Sequence, residues 1–222
     1  MRALLALIWK DLVIEARTRE IVTAMSLVAF LALVIFSLAL GPSAHLVAAA
    51  APAAVWVTVS FAATLGLARA HALEQEGQAL RGLLMTPVGR HILYLGKCGA
   101  NLAMVLVLQL VVAGAAAVLF TGAFARHWAG LALPLALGAV GFTAAGTLLG
   151  AIAAETRLRE VLLPILLLPV VVPVIILSLA GVNAVLEERG LPELLRSLKL
   201  LGAVDIIFVM LGVWLFAYVV ED

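Results

Sequence analysis

Apolar residues fall into six long stretches, at positions 21–40, 52–69, 98–121, 131–153, 161–181 and 202–220. A helix of about 20 apolar residues crosses a bilayer core of about 30 Å. The pattern therefore predicts six membrane-spanning helices. Arg69 and Asp205 are the charged residues inside these stretches, both near an end, with Asp205 expected near the start of the sixth.

Two further segments carry a helical period without being long enough to span. In residues 3–18, Leu5, Ile8, Trp9, Leu12, Val13 and Ala16 form one apolar stripe, with Arg2, Lys10, Asp11, Glu15 and Thr18 largely off it. This predicts an amphipathic helix in the membrane interface, with Trp9 at the water boundary. A plain topogenic extension is the other reading. In the second segment, Leu73, Leu80 and Leu84 share a face that Leu83 widens, and Pro87 stops the helix. Glu74 and Glu76 fall in its first turns, where a helix dipole favours acids. Such a helix either docks in a partner's groove or lies on the lipid surface. The domain plan is an interfacial helix over 1–20 and a six-helix permease domain over 21–220. Residues 71–97 form a cytoplasmic connection and 182–201 an external one.

Composition agrees with this plan. Hydrophobic residues make up 65% of the chain and charged residues 12%, against about 45–50% and about 25% in soluble domains. Charge then orients it. Arg2, Lys10, Arg17, Arg19, Arg69, Arg81, Arg90, Lys97, Arg157 and Arg159 fall on one side. Arg126, Arg189, Arg196 and Lys199 fall on the other. The positive-inside rule makes both termini cytoplasmic. The fold class is all-α integral membrane.

Chemistry is sparse. The net charge of +1 and the lack of a Lys/Arg tract exclude nucleic acid as a partner. The single cysteine, Cys98, excludes an internal disulfide and a Cys-rich metal site. Gly96-Lys97-Cys98 lacks the earlier glycine and the hydroxyl of a phosphate loop, so ATP would have to be hydrolysed by another chain. His45, His71, His91 and His127 lie in loops or at helix ends and read as solvated. Asn101 and Gln109 share a face that should meet another helix. Asp205 reads as a cap or an interhelical hydrogen bond. Gly141 with Ala145, and Gly146 with Gly150, have the four-residue spacing of close helix packing or dimerisation. Pro164, Pro169 and Pro173 bend the fifth span, either statically or as a gate. The deep interior offers no ionisable group, which argues against an ion-coupled transporter or an intramembrane enzyme. No residue qualifies as catalytic.

Specific motifs narrow the reading. Glu76-Gly77, Leu80, Leu83-Leu84, Pro87 and Gly96-Lys97 resemble the coupling segment of ABC-2-type exporter permeases. Lys10-Asp11-Leu12 with Glu15, Arg17 and Glu20 is similar to the N-terminus of the CcmB family, the permease subunits of the haem-handling ABC complex of cytochrome c biogenesis. So are Trp56, Phe61, Leu65-Gly66-Leu67 and Arg69, the run from Thr156 to Pro164 with Pro169 and Pro173, and the close from Asp205-Ile206-Ile207-Phe208 to Phe216-Ala217-Tyr218. Gln109 departs from the pattern, standing where many relatives are expected to carry an acid.

The resemblance implies a homodimeric permease of the bacterial inner membrane. It pairs with a CcmA-like ATPase and works with CcmC-like and CcmD-like membrane proteins and a CcmE-like haem chaperone. ATP would bind the ATPase, and haem would be a handled or transported ligand; this chain itself would hold no cofactor. The resemblance also makes Glu74, Glu76, Gly77, Leu80, Leu83, Leu84 and Pro87 the ATPase-coupling residues. A generic ABC-2 permease for a drug, lipid or glycan is the alternative.

Overall fold

The computed structural model describes residues 2–41, 43–76, 88–120, 126–154, 156 and 159–219. Among them the chain is helical throughout. The elements are α1 (Arg2–Thr18), α2 (Glu20–Leu40), α3 (Ala44–Glu76), α4 (Arg90–Leu119), α5 (Trp128–Ala154), α6 (Arg159–Leu186) and α7 (Leu191–Val219). The six from α2 to α7 are long and apolar enough to cross a membrane.

Small residues decide which helices sit in the middle. The spans of α3 and α5 are each 72% buried, whereas those of α2, α4, α6 and α7 are between 22% and 33% buried. The two central helices are rich in Ala, Gly and Thr, so neighbouring backbones approach closely. Trp56, Val59, Ala62 and Ala63 of α3 pack with Ala139 and Phe142 of α5 in one apolar core. The outer helices turn large side chains away from it. Leu31, Ile35 and Leu38 of α2 and Ile206, Met210 and Trp214 of α7 are exposed.

Helix ends differ from the hydropathy reading in a consistent direction. The predicted external connection over 182–201 shrinks to residues 187–190, because α6 continues to Leu186 and α7 begins at Leu191. Glu193, Arg196 and Lys199 interrupt the apolar run, but they do not oppose helix. Pro192 falls in the first turn of α7, where its missing N–H costs nothing. Gly190 (φ 91°) and Glu188 (φ 52°) supply the left-handed residues of the turn. Likewise α3 starts before Pro52 and runs through it to Glu76, and α4 starts at Arg90 rather than near Cys98. Leu73 and Glu74 are thus the last turns of a spanning helix, with Leu73 packed on the bundle core. The three prolines of the fifth span lie inside the single helix α6.

The α1 helix meets the bundle on an unexpected side. Leu7 and Glu15 are buried and Asp11 is nearly so, giving an inward face at i, i+4 and i+8. Within the expected apolar stripe, Leu5 and Trp9 are 60% and 70% exposed. The stripe is thus split: Leu5, Trp9 and Ala16 face away from the protein, while Ile8, Leu12 and Val13 are half-buried.

Both ends of the described chain lie at one end of the bundle. Asp11 of α1 bonds to α4, and Arg90 of α4 donates to the Ala217 carbonyl in the last turn of α7, at 3.0 Å.

Candidate functional site

At that end the charged groups converge on one cation. Lys97 is 6% exposed and is the buried cation among the described residues. Its Nζ donates to Glu74 Oε1 at 2.5 Å and to Asp11 Oδ2 at 3.1 Å. An ammonium taken out of water is costly unless opposite charge and hydrogen bonds compensate it. Here two carboxylates do so, one from α3 and one from α1. Lys10 Nζ lies 2.8 Å from the other oxygen of Asp11.

Local sequence makes this convergence possible. A Cβ added at Gly96 would lie 3.0 Å from Leu7 Cβ, and one at Gly99 would lie 2.6 Å from Ile8 Cδ1. Two glycines on α4 therefore let α1 approach, and Lys97 lies between them facing Asp11. Beside this junction, Arg69 of α3 holds Glu20 of α2 through Nε at 2.9 Å and Nη2 at 2.5 Å. Glu15 Oε1 accepts the Val22 backbone N–H at 2.8 Å, which caps the first turn of α2 after the left-handed corner at Arg19 (φ 54°). The result ties α1, α2, α3 and α4 together at one end.

This junction joins the two ends of the predicted coupling segment over 71–97. Glu74 lies near its beginning on α3 and Lys97 at its end on α4. Glu76 belongs to the last turn of α3. Gly77, Leu80, Leu83, Leu84 and Pro87 lie outside the described residues. Sequence reasoning gave Glu74 the role of a rim contact for a docking helix. The structure instead turns its carboxylate inward to Lys97. Asp11 and Lys97 entered the sequence reading as a polar position of the first helix, as a charge that orients the chain and as parts of motifs, never as a pair. A lysine at the edge of an apolar stretch, with an acid at the end of the preceding one, was the signal for their pairing.

The intramembrane polar residues lie elsewhere. Asn101 Nδ2 donates to Thr147 Oγ1 at 2.9 Å, and Gln109 Nε2 donates to the Leu135 carbonyl at 3.1 Å. Both bonds run from α4 to α5. One helical turn before Cys98, Tyr94 Oη donates to the Ala144 carbonyl at 2.9 Å.

Asp205 is a correction. It sits in the middle of α7, not near the beginning of a span, because α7 starts well before Gly202. It is 4% exposed. Its carboxylate packs on Gly141, whose added Cβ would overlap Oδ1 and lie 2.9 Å from Val174 Cγ2. Gly141 and Val174 are midway along the α5 and α6 spans, so Asp205 is at the central level of the bundle. Neither carboxylate oxygen has a hydrogen-bond partner among the described residues. The deep interior thus does contain an ionisable group, contrary to the sequence reading.

Among the described residues no group of three His, Cys, Asp or Glu is placed to hold a metal ion. His71 bonds to the Leu67 carbonyl at 2.8 Å, and His127 Nε2 is 3.5 Å from Glu188 Oε1.

The profile of the CcmB protein family matches residues 2–221. The chain belongs to the CcmB family. It is therefore a multi-span helical membrane protein of the haem-export machinery of cytochrome c biogenesis. Within that machinery the CcmB family provides a permease subunit and not a catalytic one. No individual curated protein matches the chain. Of the junction residues, Lys10-Asp11-Leu12, Glu15, Glu20 and Arg69 belong to the motifs that resemble the CcmB family, and Gly96-Lys97 to those that resemble the ABC-2 coupling segment.

Proposed function

We propose that this CcmB-family chain passes the stroke of a separate ABC ATPase to the far face of the membrane, and that the Lys97 junction is the point of transfer. The ATPase grips the coupling segment through Gly77, Leu80, Leu83, Leu84 and Pro87, with Glu76 at its rim. Dimer closure of the ATPase displaces the segment. Glu74 and Lys97 anchor its two ends, so the displacement reaches α3 and α4 together. Asp11 carries it to α1, whose exposed Leu5 and Trp9 float in the interface. The excess of Lys and Arg at this end makes it the cytoplasmic one in a bacterial inner membrane.

On the far side, the moving helices act on the haem-handling partners. A CcmC-like protein, with its CcmD-like companion, holds the CcmE-like haem chaperone. The displaced bundle frees that chaperone with its haem or exports haem to it. Two copies of the chain match the two-fold ATPase. α6, crossed by Pro164, Pro169 and Pro173, is the helix best suited to flex.

The single observation behind this reading is the ion pair of Lys97 with acids on two other helices, at the base of the segment. The test is complementation in a bacterium lacking the permease and ATPase pair, scored by covalent haem staining of periplasmic c-type cytochromes. Leu84→Asp is expected to insert in the membrane but lose the ATPase on co-purification. Lys97→Ala is expected to keep the ATPase yet lose maturation at least tenfold. Normal maturation with Lys97→Ala at wild-type protein levels would sink the transfer role. Normal ATPase recovery with Leu84→Asp would sink the docking face.

A further inference from the structure

The end of the bundle opposite the Lys97 junction carries a second charged group of residues, differently arranged. Three acids and three bases lie between Glu187 and Lys199. The acids are engaged. Glu187 and Glu193 hold Arg189, at 2.6 and 3.3 Å, and Glu188 faces His127. Arg196 and Lys199 have no carboxylate partner among the described residues. Both are exposed, and they are three residues apart on one face of α7. Pro192, Leu195 and Leu200 complete that face, forming with them a shallow groove of about 530 Å³. Leu195 and Leu200 are 50% and 49% exposed.

Depth decides what this groove meets. Asp205 marks the middle of the bundle, level with Gly141 and Val174. At a rise of about 1.5 Å per residue, Lys199 lies about 9 Å and Arg196 about 14 Å from that level along α7. Half of a bilayer core is about 15 Å. Both cations therefore leave the helix within the hydrocarbon or at its edge, and must reach outward to the phosphate level. The opposite face of this segment, with Ser197 and Leu201, is buried against the bundle. The groove thus opens toward lipid. An apolar floor below two unneutralised cations is complementary to an acyl chain below an anionic headgroup.

We propose that this face of α7 is a binding site for an anionic phospholipid, with Arg196 and Lys199 on the headgroup phosphate and Leu195 and Leu200 along the acyl chain. The site holds the outer end of α7 against its leaflet. It stands independently of the coupling role.

The test uses the full chain in mixed micelles with equal phosphatidylglycerol and phosphatidylcholine, with bound lipids counted by native mass spectrometry. Wild type is expected to carry the anionic lipid at least fivefold over the zwitterionic one. Arg196→Gln with Lys199→Gln should bring the ratio to about one, and Arg196→Lys with Lys199→Arg should keep it. Each single Gln variant should lower it in part, which serves where the double variant does not purify. Excess inorganic phosphate should leave the ratio unchanged. A wild-type ratio near one, an undiminished ratio in the Gln variants, or displacement by free phosphate each overturns the proposal.

Discussion

Glu74 and Lys97 are 23 residues apart in sequence and 2.5 Å apart in space. This pairing joins the end of α3 directly to α4. Asp11 accepts from the same ammonium, so the amphipathic N-terminal helix is tied to both. The charged junction therefore joins α1 to the ends of α3 and α4.

The first prediction concerns the burial of this charge. Removing one member of a buried ion pair leaves the other uncompensated, at about 3–5 kcal/mol, whereas replacing the whole set by neutral groups is often close to neutral. Lys97→Met should therefore destabilise the protein in detergent by about 3 kcal/mol. Combining it with Asp11→Asn and Glu74→Gln should recover most of that loss. Unfolding titrations of the single and triple variants measure this. A triple variant less stable than Lys97→Met would show that the acids hold structure by some other contact.

The second prediction follows from Gly141. A methyl group there would overlap the Asp205 carboxylate and crowd Val174. Overpacking of this kind costs about 1–3 kcal/mol. Gly141→Ala should lower the melting temperature of the purified chain, and Asp205→Ala in the same molecule should relieve the loss by making room. A double variant whose destabilisation is the plain sum of the two singles would mean that the groups are not in contact.

Hydropathy located each spanning helix, because about 20 apolar residues in sequence have few other fates. It failed at helix ends. Glu193, Arg196 and Lys199 lower the average over a window, yet each is compatible with helix, so the true start at Leu191 was hidden. That error displaced Asp205 from the middle of its helix to an apparent end. The same limit hid the junction. An amphipathic stripe tells which residues are apolar, but Leu7, Asp11 and Glu15 pack inward because Lys97, Gly96 and Val22 receive them. Those partners lie far away in sequence. The CcmB-like motifs did contain Asp11 and Glu15, and the ABC-2-like one Lys97, but a motif names residues without saying which one meets which.

The third prediction tests how α1 is joined to the bundle. Glu15 is 8% exposed although it is charged, and its Oε1 accepts the Val22 N–H at 2.8 Å. That N–H belongs to the first turn of α2, where no earlier carbonyl of the helix is available. Glu15→Ala removes the acceptor and should cost about 1 kcal/mol, in the range of a lost helix cap. Glu15→Gln keeps a carbonyl oxygen at the same reach and should lose less than half as much. Hydrogen exchange at Val22 reads the bond itself. Its amide should exchange at least several times faster in Glu15→Ala than in Glu15→Gln, with amides deep in α3 unchanged. Equal exchange at Val22 in the two variants would show that the corner at Arg19 is held by its backbone alone. In that case the Lys97–Asp11 bond would be the sole polar tie of α1 among those described, and Asp11→Asn should then release the helix, seen as faster exchange along α1.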